Sequence, residues 1–274
     1  VFILADDLGV GEVGCYGQRT LRTPNIDRLA ARGMRFTNAY SGATVCAPAR
    51  SSLMSGLHTG HTPVRANGGG NPLLPDDFTV AKLLRSAGYR TACFGKWGLG
   101  DIGTTGVPWQ QGFDEFFGYL HQVHAHFFYP EYLWKNGEKV AQGSNRRDVA
   151  AGAHSADVIH GQAMGYLRST VRQGQALAAQ SPGKEPPPPF FLYLAYTMPH
   201  GEYQVPADSA EPHRGRYPEK PIPAQNGHAA QPEPFAVYAG MIERLDRQVG
   251  EVAATLEELG VADETVVFFA SDNG

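Results

Sequence analysis

The sequence predicts an α/β fold, a mostly parallel central sheet with helices on both faces. Stretches with apolar residues at helical spacing alternate along the chain with short apolar runs of strand length. Those runs end in loops rich in glycine or aspartate, the pattern of strands buried on both sides. The third observation is compositional: 274 residues with 42% hydrophobic and 11% aromatic content supply one large core. In a sheet of this kind ligands gather beyond the carboxyl ends of the strands, so the strand ends are the places to search for chemistry.

The first run, Val1 to Ala5, is apolar, ends in Asp6-Asp7 and is followed by Leu8-Gly9-Val10-Gly11, which reads as a buried strand feeding a loop. A helix follows, with Thr23 as N-cap, Pro24 at the first helical position, apolar Ile26, Leu29 and Ala30, and Gly33 as the stop. Residues 79–87 place Val80, Leu83 and Leu84 on one helical face, with Gly88 as punctuation before a strand from Tyr89 to Phe94. A long helix is predicted from His154 to Gln180, then a loop from Ser181 to Pro189 that holds five prolines, then a strand from Phe190 to Tyr196. Tyr238, Met241, Ile242, Leu245, Val249, Val252 and Leu256 mark a further helix, and Thr265 to Ala270 a closing strand. The 33 glycines and 20 prolines fit long ordered loops, because the apolar content remains high. Residues 100–153 and 201–234 read as insertions over the site.

Composition excludes several classes of partner. A net charge of -4, from 27 acidic and 23 basic residues, provides no basic stripe for nucleic acid. No run approaches the roughly 20 apolar residues of a membrane span. The chain opens within a strand and closes just after an apolar run, so it is expected to be a fragment, truncated at both ends, with targeting information outside it. Three cysteines, Cys15, Cys46 and Cys93, are too few and scattered for a disulfide framework.

Asp6 and Asp7 follow the first strand; Asp272 and Asn273 follow the last. If those strands lie centrally and parallel, three carboxylates and an amide oxygen converge, an all-oxygen set for a hard cation, Ca2+ first and Mg2+ as an alternative. Adjacent residues of a strand point to opposite faces, so both aspartates can ligate only where the chain leaves the strand. Aspartates before glycine also serve as ordinary loop caps. Between the two pairs stands Cys46-Ala47-Pro48-Ala49-Arg50, ahead of a helix-forming stretch. Pro48 just inside that helix would aim its N-terminus and free N–H groups at the site.

Four segments, Ala5 to Gly9, Cys46 to Arg50, Gly95-Lys96-Trp97 and Ser271 to Gly274, together resemble the sulfatase branch of the alkaline phosphatase superfamily, and they occur in that family's order. The resemblance implies that residues 1–274 form the family's large N-terminal α/β catalytic domain, with a smaller C-terminal domain beyond Gly274. It implies that a maturation enzyme oxidises Cys46 to formylglycine, and that the chain hydrolyses sulfate monoesters. One hydroxyl of the hydrated aldehyde attacks sulfur and expels the alcohol; the other, on losing its proton, ejects sulfate and restores the aldehyde. By the same resemblance Asp6, Asp7, Asp272, Asn273 and the modified Cys46 bind the cation. Arg50 holds the formylglycine hydroxyl, Lys96 binds sulfate, and His200 protonates the leaving alcohol.

Two departures stand out. The family commonly has histidine two residues after its lysine, where this chain has Gly98. His121, His124 and His126 are substitutes, of which His126 is favoured as a substrate-binding base. The family's other sulfate-binding lysine follows the Asp-Asn pair at a distance and falls beyond Gly274. Two other readings stay open: a phosphonate or phosphate ester hydrolase of the same superfamily, and a non-catalytic anion- or carbohydrate-binding relative. The substrate is a sulfated small molecule or a sulfated carbohydrate; Phe127, Phe128, Tyr129 and Trp134 either stack on sugar rings or belong to the core. The resemblance places the protein in the periplasm, in the secreted fraction or otherwise outside the cytoplasm.

Overall fold

In a computed structural model of the chain, which describes residues 1–68, 71–146, 152–180, 186–225 and 228–273, the apolar runs pair into one sheet. Its strands are β1 (Phe2–Ala5), β2 (Arg90–Lys96), β3 (Glu115–Tyr119), β4 (Tyr132–Lys135), β5 (Glu138–Ala141), β6 (Phe190–Ala195) and β7 (Phe268–Ser271). They lie in the order β5-β4-β3-β2-β6-β1-β7. The pairs β7/β1, β1/β6, β6/β2 and β2/β3 are parallel, and only the β3/β4 and β4/β5 pairs are antiparallel. The expected mostly parallel sheet is therefore present.

Alternation along the strands explains the two covered faces. Ile3 and Ala5, Ala92 and Phe94, Leu192 and Leu194 enter one core with helices α1 (Pro24–Arg32), α4 (Ser155–Gln180) and α6 (Pro234–Glu258). Leu4, Cys93, Tyr193 and Ala195 face the other way, against α2 (Cys46–Ser55) and α3 (Val80–Ser86). The short α5 (Ala207–Ala210) packs beside α6. No helix among the described residues is long and apolar enough to cross a membrane.

Several expectations need correction. Residues 100–153 are more than an insertion, since they supply β3 and the β4–β5 hairpin that extend the sheet. In α3 the buried position is Ala81, while Leu83 is 48% exposed; the small residue lets the helix lie close to the sheet. The closing strand begins at Phe268 rather than Thr265, and among the described residues β7 is the outermost strand, paired in parallel with β1. Thr23 holds the N-cap position, but its hydroxyl serves Gly14 N and Asp27 instead. The cap comes from α6: Asp246 accepts from Asn25 N at 3.0 Å and Ile26 N at 2.8 Å. Part of the proline-rich loop, residues 181–185, lies outside the described residues.

Candidate active site

The chemistry-bearing residues sit where four strands end and one helix begins. Asp6 and Asp7 follow β1, Lys96 closes β2, His200 lies beyond β6, and Asp272 and Asn273 follow β7. Ala5 pairs with Ser271, so the two ends of the chain are neighbours in parallel register. Asp7 N donates to Asp272 Oδ1 at 3.1 Å, and Leu8 N donates to Ser271 Oγ at 3.0 Å. Asp7 leaves the strand with φ of 59°, a left-handed backbone that aspartate tolerates better than most residues. That turn lets two consecutive carboxylates face one space.

Cys46 is the first residue of α2 and is 4% exposed. Its Sγ lies 3.7 Å from Asp7 Oδ1 and 3.9 Å from Asn273 Nδ2. One turn on, Arg50 is fully buried. Its Nε and Nη2 reach Asp272 Oδ2 at 3.0 and 2.8 Å, its Nη2 lies 3.4 Å from Asp6 Oδ1, and its Nη1 donates to Lys96 O at 2.7 Å. The N-terminus of α2 is less open than expected, because Ala47 N is taken by Asn67 Oδ1 at 2.9 Å. Asn67 is a residue the sequence reading missed, and no local pattern marked it.

Lys96, also fully buried, meets Asp6 Oδ2 at 2.6 Å. It is aimed by close strand packing: Gly95 has φ of 118°, and a Cβ there would lie 1.9 Å from Ala195 O. His200 presents Nε2 to Asp7 Oδ2 at 3.3 Å and Nδ1 to the carbonyl of Gly201, so both ring nitrogens face acceptors. One ligand atom each from Asp6, Asp7, Cys46 and His200 falls within 4.8 Å of all the others.

The electrostatics are those of crowded carboxylates. Burial opposes ionisation of Asp6, but Lys96 and Arg50 outweigh it and hold the carboxyl well below its ordinary range. Burial, with the charge of Asp6 added and Arg50 opposing, pushes Asp272 up to about 7. Burial and the charge of Asp6 also push the Cys46 thiol up to about 12. Buried Asp6 Oδ1 has no hydrogen-bond donor among the described residues. A buried carboxylate oxygen without a hydrogen bond, beside further carboxylates and an asparagine, fits a divalent cation. A thiol is the one soft donor in this otherwise hard set, and an oxygen at position 46 would make the set uniform.

At Gly98 the backbone has φ of 77°, and a Cβ would meet Gln122 Oε1 at 2.6 Å. The space beside position 98 is thus occupied by Gln122, a buried side chain that the sequence reading passed over. His126 stacks on His200, with ring centroids 4.1 Å apart and planes at 25°, whereas His121 is exposed and His124 packs edge-on to Tyr119 and tilted against Tyr132. Burial, then the nearby His200 and Lys96, lower the pKa of His126 to about 3. Phe127, Phe128 and Tyr129 are core residues, at 8%, 0% and 5% exposure; Trp134 is partly buried against the other core.

Comparison with known proteins gives this geometry its context. Mouse (Mus musculus) steryl-sulfatase is 32% identical over 100% of this chain and 50% of its own length. Human (Homo sapiens) arylsulfatase A is 32% identical over 100% of the chain and 51% of its own length. The chain therefore spans about half the length of these curated relatives. Among solved structures, Ps i-CgsB in complex with k-i-k-neocarrahexaose superposes with a TM-score of 0.76 at 28% identity, covering 100% of this chain and 58% of that one. The phosphonate monoester hydrolase of Agrobacterium radiobacter, at 21% identity and a TM-score of 0.65 over 99% of this chain and 61% of its own, shares the fold. The profile of the sulfatase family matches residues 1–274 without a gap at either end, and the chain belongs to that family.

Proposed function

We propose that this chain is the N-terminal catalytic domain of an enzyme that hydrolyses sulfate monoesters with a formylglycine made from Cys46. The observation that carries the proposal is the convergence on Cys46 of both acidic pairs, a buried arginine and a buried lysine. Asp6, Asp7, Asp272, Asn273 and the oxidised residue 46 would hold a divalent cation, Ca2+ by preference for an all-oxygen set. Such a cation supplies Lewis-acid neutralisation of the sulfate oxygens when bound.

The chain's own residues divide the remaining work. Arg50, buried at the base of the cluster, holds the nucleophilic oxygen at position 46 and fixes Asp272 through its planar fork. Lys96 carries a positive charge to the sulfate side of the site, desolvated and therefore strong. His200, at the rim with Nδ1 against the carbonyl of Gly201 and Nε2 3.3 Å from Asp7 Oδ2, donates the proton to the leaving alcohol. His126, stacked on His200, stands in for the histidine expected near Gly98 as a substrate-binding group. The site would act outside the cytoplasm, after maturation by a formylglycine-generating enzyme.

Mass spectrometry of the Cys46 peptide after co-expression with that enzyme tests the maturation step; an intact thiol rejects it. Kinetics on the sulfate and phosphate esters of one phenol test the reaction. The expected result is preference for the sulfate ester, and a phosphate preference of orders of magnitude in kcat/KM would reject it. Cys46→Ala should abolish turnover while calorimetry still detects cation binding.

A further inference from the structure

We propose that His126, His228 and Glu202 form a subsite for a hydroxylated leaving group. The substrate is then a sulfated carbohydrate with free hydroxyls, rather than an apolar aryl or steryl sulfate. This rests on the sulfatase reading above and adds the chemical class of the alcohol.

Three imidazoles run outward from the carboxylate cluster. His200 contacts Asp7; His126 stacks on His200 at 4.1 Å, and His228 lies beyond His126 at 6.0 Å with planes at 21°. Glu202 ties the column together. Its N donates to His126 O at 3.4 Å, and its Oε1 accepts from Ala229 N at 2.6 Å, joining the loop after β6 to the loop that carries His228. The wall beside the proton donor is therefore polar.

Two atoms in this wall lack a hydrogen-bond partner among the described residues: His126 Nε2 and Glu202 Oε2, the latter on a residue only 7% exposed. Buried polar groups left unpaired are costly, so a ligand that pairs with them gains affinity. A hydroxyl both donates and accepts, so hydroxyls of a sugar ring suit the carboxylate and the imidazole alike. An aryl or steryl ring satisfies neither, and sites built to bond a hydroxyl discriminate strongly against analogues that lack it. The aromatic side chains that would line an apolar pocket here, Phe127, Phe128 and Tyr129, are instead buried in the core.

The test uses the full-length protein, matured by co-expression, on galactose 4-sulfate, galactose 6-sulfate and N-acetylglucosamine 6-sulfate against 4-nitrophenyl sulfate. At least one sugar sulfate should be hydrolysed. Glu202→Gln and His228→Ala should each lower kcat/KM on that sugar at least tenfold more than on 4-nitrophenyl sulfate, mainly through KM, with unfolding midpoints kept. Turnover of 4-nitrophenyl sulfate with none of the sugars, or equal losses on both classes in both variants, overturns the subsite. If aldehyde-bearing wild-type protein hydrolyses neither class, the hydrolase reading itself fails and the subsite with it.

Discussion

Asp7 shows how one dihedral can decide a site: with φ of 59° it turns a second carboxylate toward the space that Asp6 already faces. The sequence announced the pair through its position after an apolar run, but the turn itself is a tertiary fact. Gly98 is the opposite case. Its φ of 77° and the proximity of Gln122 Oε1 make any side chain strained there, so Gly98→Ala should cost about 1–3 kcal/mol in urea unfolding. A variant as stable as the wild type would mean that Gln122 swings away freely. His154 carries a pH prediction. Burial holds its imidazole at about 4, below the 6.5 of a free histidine. Between those values the unfolded chain binds a proton that the folded chain does not, so stability is full above pH 6.5 and falls as pH drops toward 4. The loss reaches about 3 kcal/mol. His154→Phe, which preserves the near-parallel stack on Phe128, should flatten that acid limb in unfolding measured at neutral and acid pH.

Among the elements, α1 was foreseen together with its ends, but the group that caps it was not. Pro24 and Gly33 bracket α1 as local rules require. The side chain that caps it belongs to α6, more than two hundred residues away in sequence. Asp246→Ala should therefore destabilise α1 by about 1–2 kcal/mol, the usual cost of a lost N-cap. The expected sign is a lower urea midpoint together with faster amide exchange confined to the first turn of α1; unchanged exchange there would refute the cap. Helix α2 begins at Cys46 itself, so the residue to be oxidised stands on the first turn of a rigid element and Arg50 follows one turn later. That spacing was legible as the Cys46 to Arg50 pentapeptide. The strands β3 to β5 were not, because Glu115 to Tyr119 is only five residues long and the β4–β5 hairpin is largely exposed, without the strong alternation that marks a half-buried strand.

In the whole molecule, β1 and β7 bring the two ends of the chain side by side; Asp272 accepts from Asp7 N, and Asp6 and Asp7 share one cluster with Cys46 and His200. A cation that binds this cluster binds only the folded chain, so it should stabilise by about 2.7 kcal/mol at one hundred times its Kd. Chelation of the purified protein should lower the thermal midpoint by roughly 5–10 °C, restored by Ca2+. A midpoint indifferent to chelator and to added Ca2+ would remove the cation from the cluster. The sequence by itself determined the fold class, most helices and strands, and nearly every charged residue of the site, because periodicity, caps and strand-end motifs are local and survive in one dimension. Only the tertiary structure decided that β7 pairs with β1, that Asn67 meets α2, that Gln122 fills the space beside Gly98, and that His126, His200 and His228 form a column. Those contacts join segments far apart in the chain, and they are set by sheet register and close packing, for which no run of neighbouring residues carries a signal.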